Sequence, residues 1–103
     1  MGGGASPEKV AISADVAEGM LIEKTEPIYP PIAQAAQVTG TGVLEVTIST
    51  TGDVEDLKVV SGPAMLQAAA MDAVKTWRYR PYQINGYPVE VQTKVNVIFA
   101  LGG

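Results

Sequence analysis

The sequence contains neither cysteine nor histidine. It therefore offers no disulfide, no thiolate nucleophile, no imidazole base and no ordinary zinc site. The missing cysteines do not fix the compartment, because periplasmic and cytosolic domains can both lack them. Positive charge is scarce as well: 7 basic residues stand against 11 acidic ones, for a net charge of −4. A nucleic-acid binder needs a basic face to neutralise phosphates, and an electrostatic membrane patch needs the same, so neither is expected. No apolar run reaches the length of a transmembrane helix, and no signal peptide is visible.

The 103 residues, 47% of them hydrophobic, suit one globular domain with a modest core. The expected division is a flexible leader and N-terminal extension over 1–25, with at most a short extra strand, and a folded domain over 26–103. Met1-Gly2-Gly3-Gly4 reads as an expression leader, so the natural chain is expected to extend upstream. Gly2 to Glu8 is small and polar, and disorder is expected there. Val10–Ser13 and Met20–Ile22 are short apolar runs with little pattern, and either could form an extra strand. Gly19 is expected to break any helix over Ala14–Glu18.

Val89 to Leu101 carries the strongest pattern. Val89, Val91, Val95, Val97, Phe99 and Leu101 share one face with Thr93, and Glu90, Gln92, Lys94 and Asn96 share the other. A period of two predicts a β-strand buried on one side and wet on the other, in an antiparallel sheet. Val43–Ser49 alternates in the same way and returns through Thr50-Thr51-Gly52-Asp53 into Val54–Val60, a β-hairpin. Pro31 opens a short helix over Ile32–Val38. A second helix is expected over Ala64–Trp77, with Leu66, Ala69, Ala70, Ala73 and Trp77 on its apolar face. Trp77, the sole tryptophan, reads as a core plug. Asn85-Gly86 is a type I′ turn signal that would fold Tyr82–Ile84 back on Tyr87–Val89. The fold class is α+β: a three-stranded antiparallel sheet, Val43–Ser49 in the middle, with two helices on one face.

Little here suits chemistry. Asp53, Glu55 and Asp56 lack the spacing of a calcium loop and read as a solvated turn. Arg78 and Arg80 have no glycine-rich loop beside them. No enzyme, metal or cofactor is expected. A small α+β hydrolase or ligand-binding enzyme remains a rival reading, to be judged by whether polar groups converge on a pocket.

Glu26-Pro27-Ile28-Tyr29-Pro30-Pro31 must be extended, because each proline fixes its own φ and pushes the preceding residue out of the helical region. It reads either as a stiff lead-in pinned by Tyr29 or as a preformed surface for a partner. The order of elements, with Tyr29-Pro30, Gly42, Gly52-Asp53-Val54, Ser61-Gly62 and Trp77-Arg78-Tyr79-Arg80-Pro81 as landmarks, resembles the C-terminal domain of the TonB family from about Glu26 to Leu101. Tyr29, Pro30, Gly52, Trp77, Arg78, Tyr79 and Pro81 are the structural motif of that resemblance.

The resemblance implies the periplasmic domain of an inner-membrane-anchored energy transducer. Such a protein works with an ExbB/ExbD-type complex through an N-terminal region absent here. Its C-terminal domain grips the TonB box of an outer-membrane receptor to drive uptake of siderophores, cobalamin or similar nutrients. On this reading the partner peptide adds as a strand to the free edge of Val89–Leu101. Its site is expected at Val91, Gln92, Thr93, Lys94, Val95, Asn96 and Val97, with Glu26, Pro27, Ile28 and Tyr29 alongside. The best-known members carry glutamine where this chain has Glu26, and a carboxylate there would instead select a basic residue on the partner. An open edge also invites a homodimer through paired or exchanged strands. The alternative is an interaction module of the same fold on another envelope protein, without receptor coupling.

Overall fold

The computed structural model describes residues 9–101. The disorder expected for Gly2–Glu8 and the trailing Gly102-Gly103 lie outside the described residues.

The main sheet grows from the alternating segments. β3 (Gly40–Ile48) pairs antiparallel with β4 (Val54–Ser61) on one side and with β8 (Val91–Phe99) on the other. β3 is thus central, as its position between hairpin and crossover predicts. The inner faces supply Leu44, Val46 and Ile48 from β3 and Val91, Val95, Val97 and Phe99 from β8, all buried. Leu57 and Val59 of β4 are only partly buried, as suits an edge strand. Thr93 is the polar residue on the inner face of β8, and its Oγ1 is buried without a hydrogen-bond partner.

Helix α3 (Ala64–Val74) covers this face, with Leu66, Ala70, Ala73 and Val74 buried. Its alanines allow close approach: a Cβ added at Gly42 would stand 3.5 Å from that of Ala70. The helix ends three residues before Trp77, which the sequence pattern had included in it. Helix α2 (Pro31–Ala35) adds Ala33 to the same core. β6 (Tyr82–Ile84) and β7 (Tyr87–Val89) form a separate hairpin, and its turn takes positive φ at Asn85 and Gly86. The long alternating segment is therefore two strands, broken at Glu90.

The three-strand, two-helix expectation is corrected: among the described residues the main sheet has four strands, in the order β1-β8-β3-β4, and there are three helices. β1 (Val10–Ala11) pairs parallel with β8 at Val91 and Gln92. α1 (Ala14–Gly19) follows, despite Gly19. Ser13 caps it by accepting from the Val16 N–H, Asp15 sits in its first turn, and Ala17 is buried in the core. Glycine at the last helical position costs little, because the helix stops there anyway. β2 (Leu21–Glu23) then pairs antiparallel with β5 (Arg78–Tyr79).

Candidate functional site

The stretch Trp77–Arg80 alternates inward and outward: Trp77 and Tyr79 are buried, Arg78 and Arg80 exposed. This alternation turns one backbone edge to β2. Leu21 faces Tyr79, and the Arg80 N–H donates to the Met20 carbonyl at 2.8 Å. The Trp77 indole N–H donates to the Thr25 carbonyl at 2.9 Å, and the Lys24 ammonium lies 5.5 Å from the centre of its ring. On the other side the Tyr79 N–H donates to the Gly52 carbonyl at 2.8 Å. Arg78 adds contacts to Asp53 at 3.4 Å and Glu23 at 3.7 Å, both exposed and so contributing about 0–1 kcal/mol. The motif residues are thus joints between the β3–β4 turn, the lead-in and the core.

Tyr29 closes the other end of the lead-in. Its ring packs edge-on against Phe99, with centroids 5.4 Å apart, and its hydroxyl donates to the Val38 carbonyl. The extended segment therefore runs from Trp77 at Thr25 to the C-terminal end of β8 at Tyr29. Glu26 and Ile28 between them are exposed, Ile28 at 83%.

The outer edge of β8 is the feature these joints frame. The edge expected to be free along its whole length is covered at its start. The Val10 N–H donates to the Glu90 carbonyl at 2.9 Å and the Ile12 N–H to the Gln92 carbonyl at 3.0 Å. In a strand, successive residues point their backbone groups to opposite sides. The next groups in this row therefore belong to Lys94, Asn96 and Ile98. Among the described residues no strand pairs with them on that side. Thr93, Val95 and Val97 instead turn their backbone to β3 and their side chains into the core. Of the strand residues expected at the site, only Lys94 and Asn96 offer backbone to a newcomer, and Ile98, outside that set, joins them.

A cleft of about 110 Å³ opens beside this edge, walled by Asp15 and Glu18 of α1, Leu21 and Lys24, Trp77 and Tyr79, and Lys94–Asn96. Sequence reasoning missed the α1 wall. Ser13 ahead of Ala14-Asp15 was its signal, a cap followed by an acidic first turn. Burial, with a smaller push from the negative Glu18, raises the Tyr79 phenol to about 12. At the covered end of the edge, the neighbouring Glu90 carboxyl, followed by desolvation, raises the Glu55 carboxyl above its ordinary value. Among the described residues there is no cluster of metal-binding side chains, and no helix is long and apolar enough to cross a membrane.

The molecule is a small α+β domain in which, among the described residues, part of the outer edge of β8 is left open beside a walled cleft. The chain belongs to the Gram-negative bacterial TonB protein C-terminal family, whose model matches residues 25–101. It is 29% identical over 82 residues to Protein TonB of Vibrio cholerae serotype O1 and 35% identical over 77 residues to Protein TonB of Xanthomonas campestris pv. campestris. Those alignments take in 78% and 73% of this chain but 34% of each relative, so the chain spans about a third of their length. The solution NMR structure of the Pseudomonas aeruginosa TonB CTD superposes with a TM-score of 0.68 at 25% identity, covering 81% of this chain and 86% of that one. The family that the landmark residues imply is the family found, with a larger sheet than the three strands expected.

Proposed function

We propose that this domain binds the TonB box of an outer-membrane receptor by adding it as a strand to the outer edge of β8. It does so as the periplasmic part of an inner-membrane-anchored transducer that works with an ExbB/ExbD-type complex to drive nutrient uptake. Its role is mechanical coupling, with no catalytic step. The observation that carries this reading is the row of backbone groups at Lys94, Asn96 and Ile98, beside the cleft, with which no other strand pairs among the described residues. An open edge is a hazard unless it is used or guarded. A strand laid along it forms hydrogen bonds that contribute about 0.5–1.5 kcal/mol each. Five or six give about 2.5–9 kcal/mol before ordering costs, so an isolated peptide binds at about micromolar affinity or weaker. Glu26 and Ile28 are exposed on the segment held between Thr25 at Trp77 and Tyr29 at Phe99, and on this reading they are the side chains that would read the partner.

Backbone methylation of the peptide tests this without touching the protein. A synthetic TonB-box peptide N-methylated at the alternate amides that face β8 is expected to bind about tenfold weaker or worse, a loss of about 1.4 kcal/mol. Methylation of the intervening amides is expected to change little. Titration against labelled protein gives the affinities, and amide shifts by NMR give the location. Equal binding by both registers, or shifts confined to Thr50–Asp56, would refute strand addition.

A further inference from the structure

β1 already does in this chain what a partner strand is proposed to do. Its hydrogen bonds to the Glu90 and Gln92 carbonyls belong to the same row that continues, unpaired, through Lys94, Asn96 and Ile98. It is two residues long. Val10 and Ile12 pack at the rim of the core, while Ala11 between them is exposed. Beyond Ile12 the chain turns through Ser13 into α1, and Ala14 stands with Lys94 in the wall of the cleft. A partner strand running the length of β8 meets this crossing and must either stop there or take the place of β1.

We propose that the docking surface is the whole outer edge of β8, from Glu90 to Ile98, and that β1 is an internal stand-in which the partner displaces. This rests on the strand-addition reading above. Removal of β1 does not require loss of α1, which keeps its Ser13 cap and the buried Ala17. The displaced strand also defines the partner's chemistry. It is an extended peptide with apolar side chains at alternate positions, which fill the places of Val10 and Ile12, and a small or polar residue between them facing solvent. While β1 is seated, the free edge is short and unpartnered strands compete with it poorly. A partner long enough to pair with all of β8 gains more hydrogen bonds than it breaks.

A reversible staple tests the displacement. Ala11 and Gln92 face each other in register, and the chain has no cysteine, so the A11C/Q92C double variant can form only one intramolecular disulfide. The probe is a fluorescein-labelled synthetic TonB-box peptide, followed by anisotropy. The oxidised variant is expected to bind about tenfold weaker or worse, and dithiothreitol is expected to restore the wild-type affinity, tenfold being 1.4 kcal/mol. Ile12→Pro provides a second test, since it deletes the N–H that Gln92 accepts while leaving Ala11 extended. It is expected to bind the peptide more tightly than wild type. Equal affinity of the oxidised and reduced forms overturns the proposal and confines the partner to Lys94–Ile98, as does a folded Ile12→Pro variant that binds no more tightly. Absence of binding by wild type and every variant refutes the strand-addition reading itself.

Discussion

Gly52→Ala should be among the most damaging single-methyl substitutions in this domain. Gly52 has φ +90°, and a Cβ there would lie 2.0 Å from the Tyr79 carbonyl oxygen and 3.1 Å from its carbon. The obstacle is backbone, so no rotamer change relieves it. The turn and β5 must part, which breaks the 2.8 Å hydrogen bond from the Tyr79 N–H to the Gly52 carbonyl. The left-handed backbone costs an L-residue about 1–2 kcal/mol. The lost hydrogen bond costs about 0.5–1.5 kcal/mol, and the exposed Asp53–Arg78 pair about 0–1 kcal/mol. The total is about 2–4 kcal/mol, against roughly 5–15 kcal/mol for a whole domain. At about 4–8 °C per kcal/mol, the melting temperature should fall by roughly 8–32 °C. Gly86→Ala is the control. Its φ of +82° carries a similar conformational penalty, but nothing lies within 4 Å of the added methyl. Melting of both variants by circular dichroism isolates the contact with Tyr79. If Gly52→Ala melts with Gly86→Ala, the turn is not seated on Tyr79 as described.

Two further predictions concern the core and the cleft. Phe99 is 3% exposed and holds Tyr29 edge-on, so Phe99→Ala should cost about 3–5 kcal/mol and loosen the lead-in; an unchanged urea midpoint would show that Phe99 does not anchor that end. Tyr79, raised from 10 to about 12, binds its proton more tightly when folded. That stabilisation is complete below pH 10 and is lost as the pH rises towards 12, about 2–3 kcal/mol at 1.36 kcal/mol per unit. Tyr79→Phe lacks this dependence, so the gap between wild-type and variant urea midpoints should shift in the variant's favour between pH 8 and pH 11.5. A constant gap would contradict the burial of the phenol.

The elements that follow a strict period were legible in the sequence. β3, β4 and β8 repeat every second residue, and the Asn85-Gly86 turn needs two positive φ values that few other pairs supply. The motif Trp77–Pro81 was legible as a landmark but not as a mechanism, because its joints reach Thr25 and Gly52, far apart in the chain. α1 was missed, and β1 and β2 were legible only as candidate extra strands, for one physical reason. Each is too short to show a period, and each is fixed by what it lies against: β1 by the edge of β8, α1 by Ala17 in the core, β2 by Tyr79. The cleft inherits that gap, since α1 forms one of its walls. Site residues chosen as a continuous run, Val91–Val97, blurred a distinction that the same period of two implies. Backbone groups facing the outer edge come from every second residue, and the intervening ones serve β3.

A four-stranded sheet closed by no barrel has two outer edges, and they are not treated alike. β4 opposes β3 with register shifts at both ends, between Val43 and Leu44 and again between Thr47 and Ile48. Glu55 and Val60 are the residues of β4 left without a partner at those steps. Bulges of this kind twist a strand away from flat pairing, and the exposed Glu55, Asp56 and Lys58 place charge along the same strand. The pairing of β8 with β3 runs from Gly40–Phe99 to Ile48–Val91 without a shift. An unbroken ladder keeps the outer edge of β8 straight over its whole length, and a straight edge can accept a strand in register. The edge with bulges and charges is the guarded one. Among the described residues the strand paired on the other edge is only two residues long, which a longer one can outcompete, and on the proposed reading that asymmetry is what would direct a strand-adding partner to β8.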